Sequence, residues 1–417
     1  MIYIIADDLT GANDTGVQYK RRGLRTLISA EADLSLLYKM ADNFDVISIN
    51  ADTRTKIPNH AYRTTYDLVK HIQTTEHEYI YKKVDSLVRG NAAQELEAVM
   101  DALDAPLAVV AISYPANART LCNGTLVLPD TNGVSAEIDV IKLFAEEMKR
   151  KVQGISLATV RKGKDAILAA IQLGQSDGTA VFVVDAVTDE DLARIRDVAL
   201  ALENKTVMCG SAGLANQLSL LKTRDVRTEG LRQEKDGIIL IMIGSRNACT
   251  AEQIQALTDE TGMPVITTFT SEILSGHREK VCFEVLQQAD NLIAGGCKLL
   301  AVVVDTLFLD FKISLKDSQD TVSDSLKIAE TMGSLAKLLY DRYSIDGILS
   351  SGGDTSLAIL KALGAKGIEL DSEILPGVPM GKLIGGKAEG MTIVTKSGGF
   401  GPKDCLIRSI EYLKKQT

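Results

Sequence analysis

With 417 residues, 45% of them apolar and 24% charged, the chain has the profile of a soluble globular protein too long for one ordinary core and about right for two. The net charge of −9, with no compensating Lys/Arg block, argues against a nucleic-acid surface but not against small anions, which need only a local cluster of donors. No apolar run is long enough to cross a membrane and no basic, apolar leader is present, so neither a membrane partner nor secretion is expected; six scattered cysteines without a C-x-x-C pair suit reduced thiols in the cytoplasm.

In chain order, Ile2–Ile5 reads as a buried strand that runs straight into Asp7-Asp8-Leu9-Thr10-Gly11, with Asp14 following. Adjacent carboxylates at the end of a core strand fit a helix cap, a metal site or the grip on a polyhydroxylated ligand. Further strands are predicted at Arg25–Ile28, Val46–Asn50, Tyr79–Lys83, Ala108–Ile112 and Ala180–Val184. Amphipathic helices are predicted between them at Ala61–Ile72, Ala92–Leu103 and Glu190–Leu202. This alternation indicates an α/β protein with mostly parallel sheets flanked by helices. The polar stretch Lys222–Gly237 reads as a linker, giving domains of 1–225 and 237–417 joined by 226–236. Strands resume at Ile238–Ile243, Val265–Thr268, Leu299–Val304, Gly347–Leu349 and Thr392–Thr395.

Two sets of strand ends carry chemistry. In the second domain, Gly244-Ser245, Ser350-Ser351-Gly352-Gly353-Asp354-Thr355 and Lys396-Ser397-Gly398-Gly399 each follow a strand. Glycine lets backbone N–H groups approach a ligand, and a helix N-terminus favours negative charge, so three such turns suit the phosphates of a nucleotide. A capped strand–helix turn, with Asp354 or Thr355 as cap, explains any one of them alone. Lys396 reads either as a phosphate counter-ion or as a solvated side chain, and Pro376–Gly381 either as a rigid loop walling the pocket or as plain turn chemistry. The Gly381–Ala388 stretch imitates a P-loop, but Ala388 stands where Mg²⁺ needs a hydroxyl and no helix follows. No G-x-G-x-x-G opens a helix. In the first domain, Asp7 and Asp8, then Asp52 and Arg54, then Lys82, Lys83, Asp85, Ser86, Arg89 and Asn91 stand at strand ends, followed by a polar loop with Asn117 and Arg119. Arg and Lys would take a carboxylate, Asp would accept from hydroxyls, and a carboxylate beside a hydroxyl can act as general base. Capping by Asp7, Asp85 or Ser86 explains the same residues singly.

The ordered set ADDLTGAND, KVDSLVRGN, PANART, GSAGLA, GGDTS, PGVPMG and KSGGFG, spread from about residue 4 to residue 404, resembles the four-carbon acid sugar kinases. The resemblance implies an ATP-dependent kinase acting on threonate, erythronate or an oxo-tetronate at a terminal hydroxyl. It implies a sugar-acid-binding N-terminal domain, an ATP-binding C-terminal domain and an active site in the interdomain cleft. Carried onto matching positions, Asp8, Arg54, Lys83, Val84, Asp85, Ser86 and Arg89 would meet the sugar acid, with Asp85 or Asp8 as catalytic base. Ser245, Gly352, Gly353, Asp354, Thr355, Gly398 and Gly399 would meet ATP, and Mg²⁺ would accompany it on ligands that stay open. Homodimerisation is compatible with the resemblance. The chain departs from the family pattern at Leu87-Val88, Ala118, Arg246-Asn247, Asp354 and Gly399, which leaves the choice of acid sugar open. An NAD(P)-dependent oxidoreductase and a non-enzymatic sugar-acid sensor are the competing readings; the first lacks its glycine fingerprint and the second has no use for three nucleotide-type turns.

Overall fold

A computed structural model describes residues 1–32, 40–73, 77–128, 137–202, 206–224, 237–307 and 322–416. The chain divides into two compact units, Met1–Val226 and Arg227–Thr417. The linker expected at 226–236 lies outside the described residues.

The first unit is built on strands β1 (Ile2–Ala6), β2 (Thr26–Ser29), β3 (Val46–Asn50), β4 (Tyr79–Lys83), β5 (Leu107–Ala111), β9 (Lys151–Ile155), β10 (Thr179–Val184) and β11 (Thr206–Gly210). Short β6 (Thr120–Cys122), β7 (Thr125–Val127) and β8 (Glu137–Asp139) form a separate antiparallel sheet. The large sheet runs β2-β3-β1-β4-β11-β5-β10-β9, and every pairing in it is parallel. Helices cover both faces of such a sheet, so its strands read as unbroken apolar runs: every residue of β1, β3 and β5 is buried.

Local chemistry fixes where the helices begin. Pro58 opens the helix Pro58–Ile72 at a position whose N–H needs no partner. Thr188 and Asp191 make a reciprocal capping box for Asp189–Ala199, and Ser211 caps Ala212–Ser219 through Gly213 N–H. Neither Asp85 nor Ser86 caps a helix: Ala92–Leu103 starts at Asn91, whose side chain is spent elsewhere.

The second unit has β12 (Ile238–Ile243), β13 (Val265–Thr268), β14 (Leu299–Val304), β15 (Ile345–Ser351), β16 (Gly367–Leu375), β17 (Val378–Ile384) and β18 (Thr392–Lys396). Parallel β13-β14-β12-β15-β18 are flanked by an antiparallel β17-β16 edge. The Pro376–Gly381 stretch is therefore a hairpin, not a free loop: Pro376-Gly377 turns the chain between β16 and β17, and Pro379 sits opposite Glu373 beside a register shift that spares its missing donor.

In each unit the strand order reverses beside its first strand. From β1 the chain crosses to the outer β2, fills β3 between them, then returns to place β4 on the other side of β1. From β12 it crosses to the outer β13, fills β14 between them, then returns to place β15 on the other side of β12. Loops on either side of such a reversal diverge and leave a crevice at the carboxyl ends of the two strands, where ligands of open α/β sheets bind. Asp7-Asp8 and Lys83–Ser86 follow β1 and β4; Gly244-Ser245 and Gly352–Thr355 follow β12 and β15.

Candidate active site

The β1–β3–β4 register places Ala6 level with Asn50 and with Lys83, so the three following segments leave the sheet together. The loop after β3 is bound to the end of β1 by its backbone: Ala51 N–H donates to Ala6 at 2.8 Å, Thr53 to Asp7 at 3.0 Å and Arg54 to Asp7 at 3.2 Å. Asn91 Nδ2 clamps that loop from the β4 side, donating to the carbonyls of Thr53 and Lys56 at 2.9 Å each. Arg54 is thereby held over both aspartates. Its Nε and Nη2 fork onto Asp7 at 2.7 and 3.0 Å, its Nη1 donates to Asp8, and Asp85 lies 3.8 Å from Nη2.

The fork of Arg54 onto Asp7 separates the two neighbouring carboxyls. Asp7 is 3% exposed; burial alone would raise its pKa, but the charge and hydrogen bonds of Arg54, with Lys83 and Lys82 beyond, hold it below the usual carboxylate range. Asp8, 23% exposed, is pushed up to about 6 by burial and by the charge of Asp7, against the opposing pull of Arg54. Asp8 is also the N-cap of the helix Leu9–Lys20, accepting Gly11 N–H at 2.6 Å, a role the sequence suggested for Asp7. A Cβ on Gly11 would stand 2.9 Å from Asp8 Oδ1 and 3.0 Å from Lys83 Nζ, so any other residue there would push on both side chains.

At the end of β4 the side chains alternate in fate. Lys82 turns inward to a fully buried ion pair with Glu95 at 2.6 Å, and also donates to the carbonyls of Ile5 and Lys83. Lys83 turns to the aspartate side and donates to the Val84 carbonyl at 2.8 Å. Asp85 accepts from Arg89 Nε and Nη2; burial would raise its pKa, but Arg89 and Arg54 hold it far below the usual range. Ser86 accepts from Arg119. The structure thus brings Asp8, Arg54, Lys83, Val84, Asp85 and Ser86 to one edge, with Arg89 exposed at its rim.

In the second unit, Ile243, Ser351 and Lys396 stand in register at the ends of β12, β15 and β18. The three turns pack on one another: a Cβ on Gly398 would overlap Ser245 Oγ, one on Gly244 would overlap Thr355 Oγ1, and one on Gly352 would lie 3.4 Å from Ser245 N. Gly352, at φ 112°, is the N-cap of the helix Gly353–Leu363 and supplies no side-chain acceptor. The capping expected of Asp354 or Thr355 is not found, because Thr355 is buried under Gly244 and Asp354 is exposed on the first turn. A helix N-terminus with an exposed carboxylate and no capping side chain fits a Mg²⁺–nucleotide. Gly399 completes the turn, 3.5 Å in the same sense from Asn247 Nδ2.

Lys396 is neither solvated nor aimed outward. It is 3% exposed, and its Nζ donates to the carbonyls of Ser397, Gly398 and Phe400 at 2.8, 3.1 and 3.0 Å, and to Thr250 Oγ1 at 3.3 Å. Burial pushes its pKa down to about 8. Gln253 Nε2 takes the next carbonyls, Phe400, Gly401 and Pro402, at 3.0, 2.9 and 3.0 Å.

Family comparison agrees with this division. Residues 2–218 match the model of a sugar-binding N-terminal domain, and residues 240–406 that of a nucleotide-binding C-terminal domain. The chain belongs to the four-carbon acid sugar kinase family. The kinase is 29% identical to a D-threonate kinase of Salmonella typhimurium over 99% of this chain and 98% of that one. It is 29% identical to a D-erythronate kinase of Heliobacterium modesticaldum over 99% and 97%, and 23% identical to a 3-oxo-tetronate kinase of Pseudomonas savastanoi over 98% and 96%. Its fold matches the crystal structure of a Salmonella typhimurium LT2 protein with a TM-score of 0.76, at 21% identity and 98% coverage of both chains. As a member of this family the protein is an enzyme of the phosphotransferase class. No helix among its described residues is long and apolar enough to cross a membrane.

Sequence reasoning missed several supports of the kinase's two half-sites. Glu95 hides in a helix that reads as merely amphipathic; the signal was Lys82, a charge inside the buried strand Tyr79–Lys83 that required a partner. Backbone strain also went unseen. Asp52, Val88, Ala118 and Asn123 all hold positive φ, between 52° and 55°, in loops of the first unit. Val88 is the costliest of these, because its branched Cβ crowds the left-handed region.

Proposed function

We propose that this enzyme transfers the γ-phosphoryl group of ATP to a terminal hydroxyl of a four-carbon sugar acid, D-threonate, D-erythronate or a 3-oxo-tetronate. The carrying observation is the split pair at the end of β1: Asp7 is locked as a carboxylate by Arg54, while Asp8, with its pKa near 6, is suited to accept a hydroxyl proton at neutral pH. Asp85, fixed as an anion by two guanidinium groups, is too weak a base for that task and orients Arg54 and Arg89 instead. This favours Asp8 over Asp85 as the base.

In this reading the sugar acid lies over Asp8, Arg54, Lys83 and Ser86. The substrate hydroxyl attacks phosphorus as its proton passes to Asp8, and ADP departs. The backbone of Ser245, Gly352, Gly353, Thr355, Gly398 and Gly399 cradles the phosphates, the helix Gly353–Leu363 adding its positive end. Mg²⁺ supplies neutralisation of the β- and γ-phosphate charge, and Asp354 is the residue of this chain that would hold it.

The deciding experiment offers ATP–Mg²⁺ with each four-carbon acid and measures ADP release and the phosphoester formed. Turnover with at least one tetronate supports the reading; none with any of them, or thermal stabilisation by NAD(P) in place of ATP–Mg²⁺, overturns it. Asp85→Asn separates the two aspartates: it is expected to raise KM more than it lowers kcat, and a loss of kcat equal to that of Asp8→Asn would return the base role to Asp85.

A further inference from the structure

Resting on the sugar-acid reading, we infer that Arg119 is the residue that recognises the carboxylate of the substrate and sets the preference for an acid over a neutral polyol. Three guanidinium groups border the first unit's crevice, and their partners differ. Arg54 is shared among Asp7, Asp8 and Asp85, and Arg89 is committed to Asp85. Arg119 donates to a neutral hydroxyl, Ser86 Oγ, and among the described residues it has no carboxylate within ion-pair distance.

Its position is built rather than incidental. Tyr114 and Arg119 form an isolated antiparallel bridge, Tyr114 N–H donating to the Arg119 carbonyl at 2.7 Å and Arg119 N–H returning at 3.2 Å. The turn between them requires Ala118 at φ 53°, a left-handed conformation that an L-residue adopts at a cost. The next strand is tied down as well: Leu121 exchanges backbone hydrogen bonds with Ala186, and its N–H also donates to Ser113 Oγ at 3.0 Å. Arg119 is half-buried, and its Nε is sealed from solvent without an acceptor. Burial pushes its pKa down, the opposite of Arg54 and Arg89, whose carboxylate partners raise theirs. The charges of Asp85 and Asp14 reach Arg119 only from a distance; a partly desolvated guanidinium without a direct ion pair is costly to keep, and a bound carboxylate supplies what is missing.

The arrangement also gives the crevice a direction. Contacts run from Arg119 through Ser86 to the neighbouring Asp85, then to Arg54 and Asp8. A short acid held by its carboxylate at Arg119 presents its hydroxyls toward the aspartates. A neutral tetritol offers Arg119 only hydroxyl acceptors and no counter-charge.

The test measures binding without ATP, by calorimetry, for D-threonate, D-erythronate, erythritol and threitol on wild type, Arg119→Gln and Arg119→Lys. Stabilisation by ATP–Mg²⁺ in a thermal melt reports that each variant is folded. Wild type is expected to bind a tetronate far more tightly than a tetritol. Arg119→Gln is expected to lose about 100-fold on the acid, the size of a lost charge-assisted contact, and little on the polyol. Arg119→Lys should recover part of the loss, since it restores charge without the planar fork. Acid binding by Arg119→Gln within threefold of wild type, or equal losses on acid and polyol, overturns the assignment and leaves Arg119 as a support for Ser86. Failure of wild type to bind any tetronate overturns the sugar-acid reading itself, and this assignment with it.

Discussion

At the scale of single residues, the site depends on giving adjacent, chemically identical side chains different surroundings. Asp8 carries the clearest consequence. Its folded-state pKa of about 6 lies above the ordinary 3.8, so the folded protein holds a proton that the unfolded chain has already lost between those values. The associated stability is present below about pH 4 and is lost as pH rises through 6. At neutral pH the ionised Asp8 is therefore a net cost to the fold, a cost that the proposed base role would explain. Asp8→Asn keeps an acceptor for Gly11 N–H, since Asn caps helices as well as Asp. Its melting temperature at pH 7.5 is expected to equal or exceed wild type, with the difference shrinking at pH 5, while kcat falls at least ~100-fold. A melting temperature several degrees below wild type at pH 7.5 would show the Asp8–Arg54 pair to be net stabilising instead. In wild type, kcat/KM should decline with unit slope below pH 6. Asp85 adds no second limb there, because its two arginines keep it ionised.

At the scale of elements, the phosphate-type turn after β18 is shaped from beneath. Lys396 draws the carbonyls of Ser397, Gly398 and Phe400 toward one buried ammonium, and Gln253 shares that of Phe400 and adds those of Gly401 and Pro402. Carbonyls pinned inward turn peptide N–H groups outward, the orientation an anion needs. With its pKa near 8, Lys396 loses its charge at mildly alkaline pH. Nucleotide affinity should accordingly weaken above pH 8. Lys396→Met should bind ATP–Mg²⁺ at least tenfold more weakly and without that alkaline decline; an unchanged decline in the variant would assign it to another group. These supports mark the limit of what the sequence disclosed. Apolar runs and Gly, Ser and Asp at strand ends are local signals, so β1, β3, β4 and β12 and their turns were legible to within a residue. Lys396 was not, because whether a strand-end lysine turns outward or into its own loop depends on Thr250 and Gln253, some 146 residues away. Likewise Arg54 and Asp7 are 47 positions apart, and nothing local announces that one will fork onto the other. Gly352 took the capping position from Asp354 because the turn needs φ 112°, a conformation that only glycine adopts freely.

At the scale of the whole molecule, strand order made two half-sites out of scattered motifs, and order is what one-dimensional patterns do not carry. The reversal at β1/β4 gathers carboxylates and guanidinium groups; the reversal at β12/β15 gathers glycine turns and a helix N-terminus. Each half-site stands at the strand ends of one compact unit. The two ligands should then leave separable footprints in hydrogen exchange on the intact chain. A tetronate alone should slow exchange in 51–54, 84–91 and 113–119, where Arg54, Asp85 and Arg119 stand. ATP–Mg²⁺ alone should slow exchange in 244–250, 352–356 and 396–401, around Ser245, Gly353 and Gly398. Protection arises because ligand contacts raise the free energy of local opening at the loops they touch, leaving the already protected core strands unchanged. If the tetronate protected the glycine turns and left the Arg54 and Arg119 loops untouched, the assignment of substrates to units would be reversed. Protection of both sets by either ligand alone would mean that one ligand is enough to order both half-sites, and the scheme of independent binding would fail.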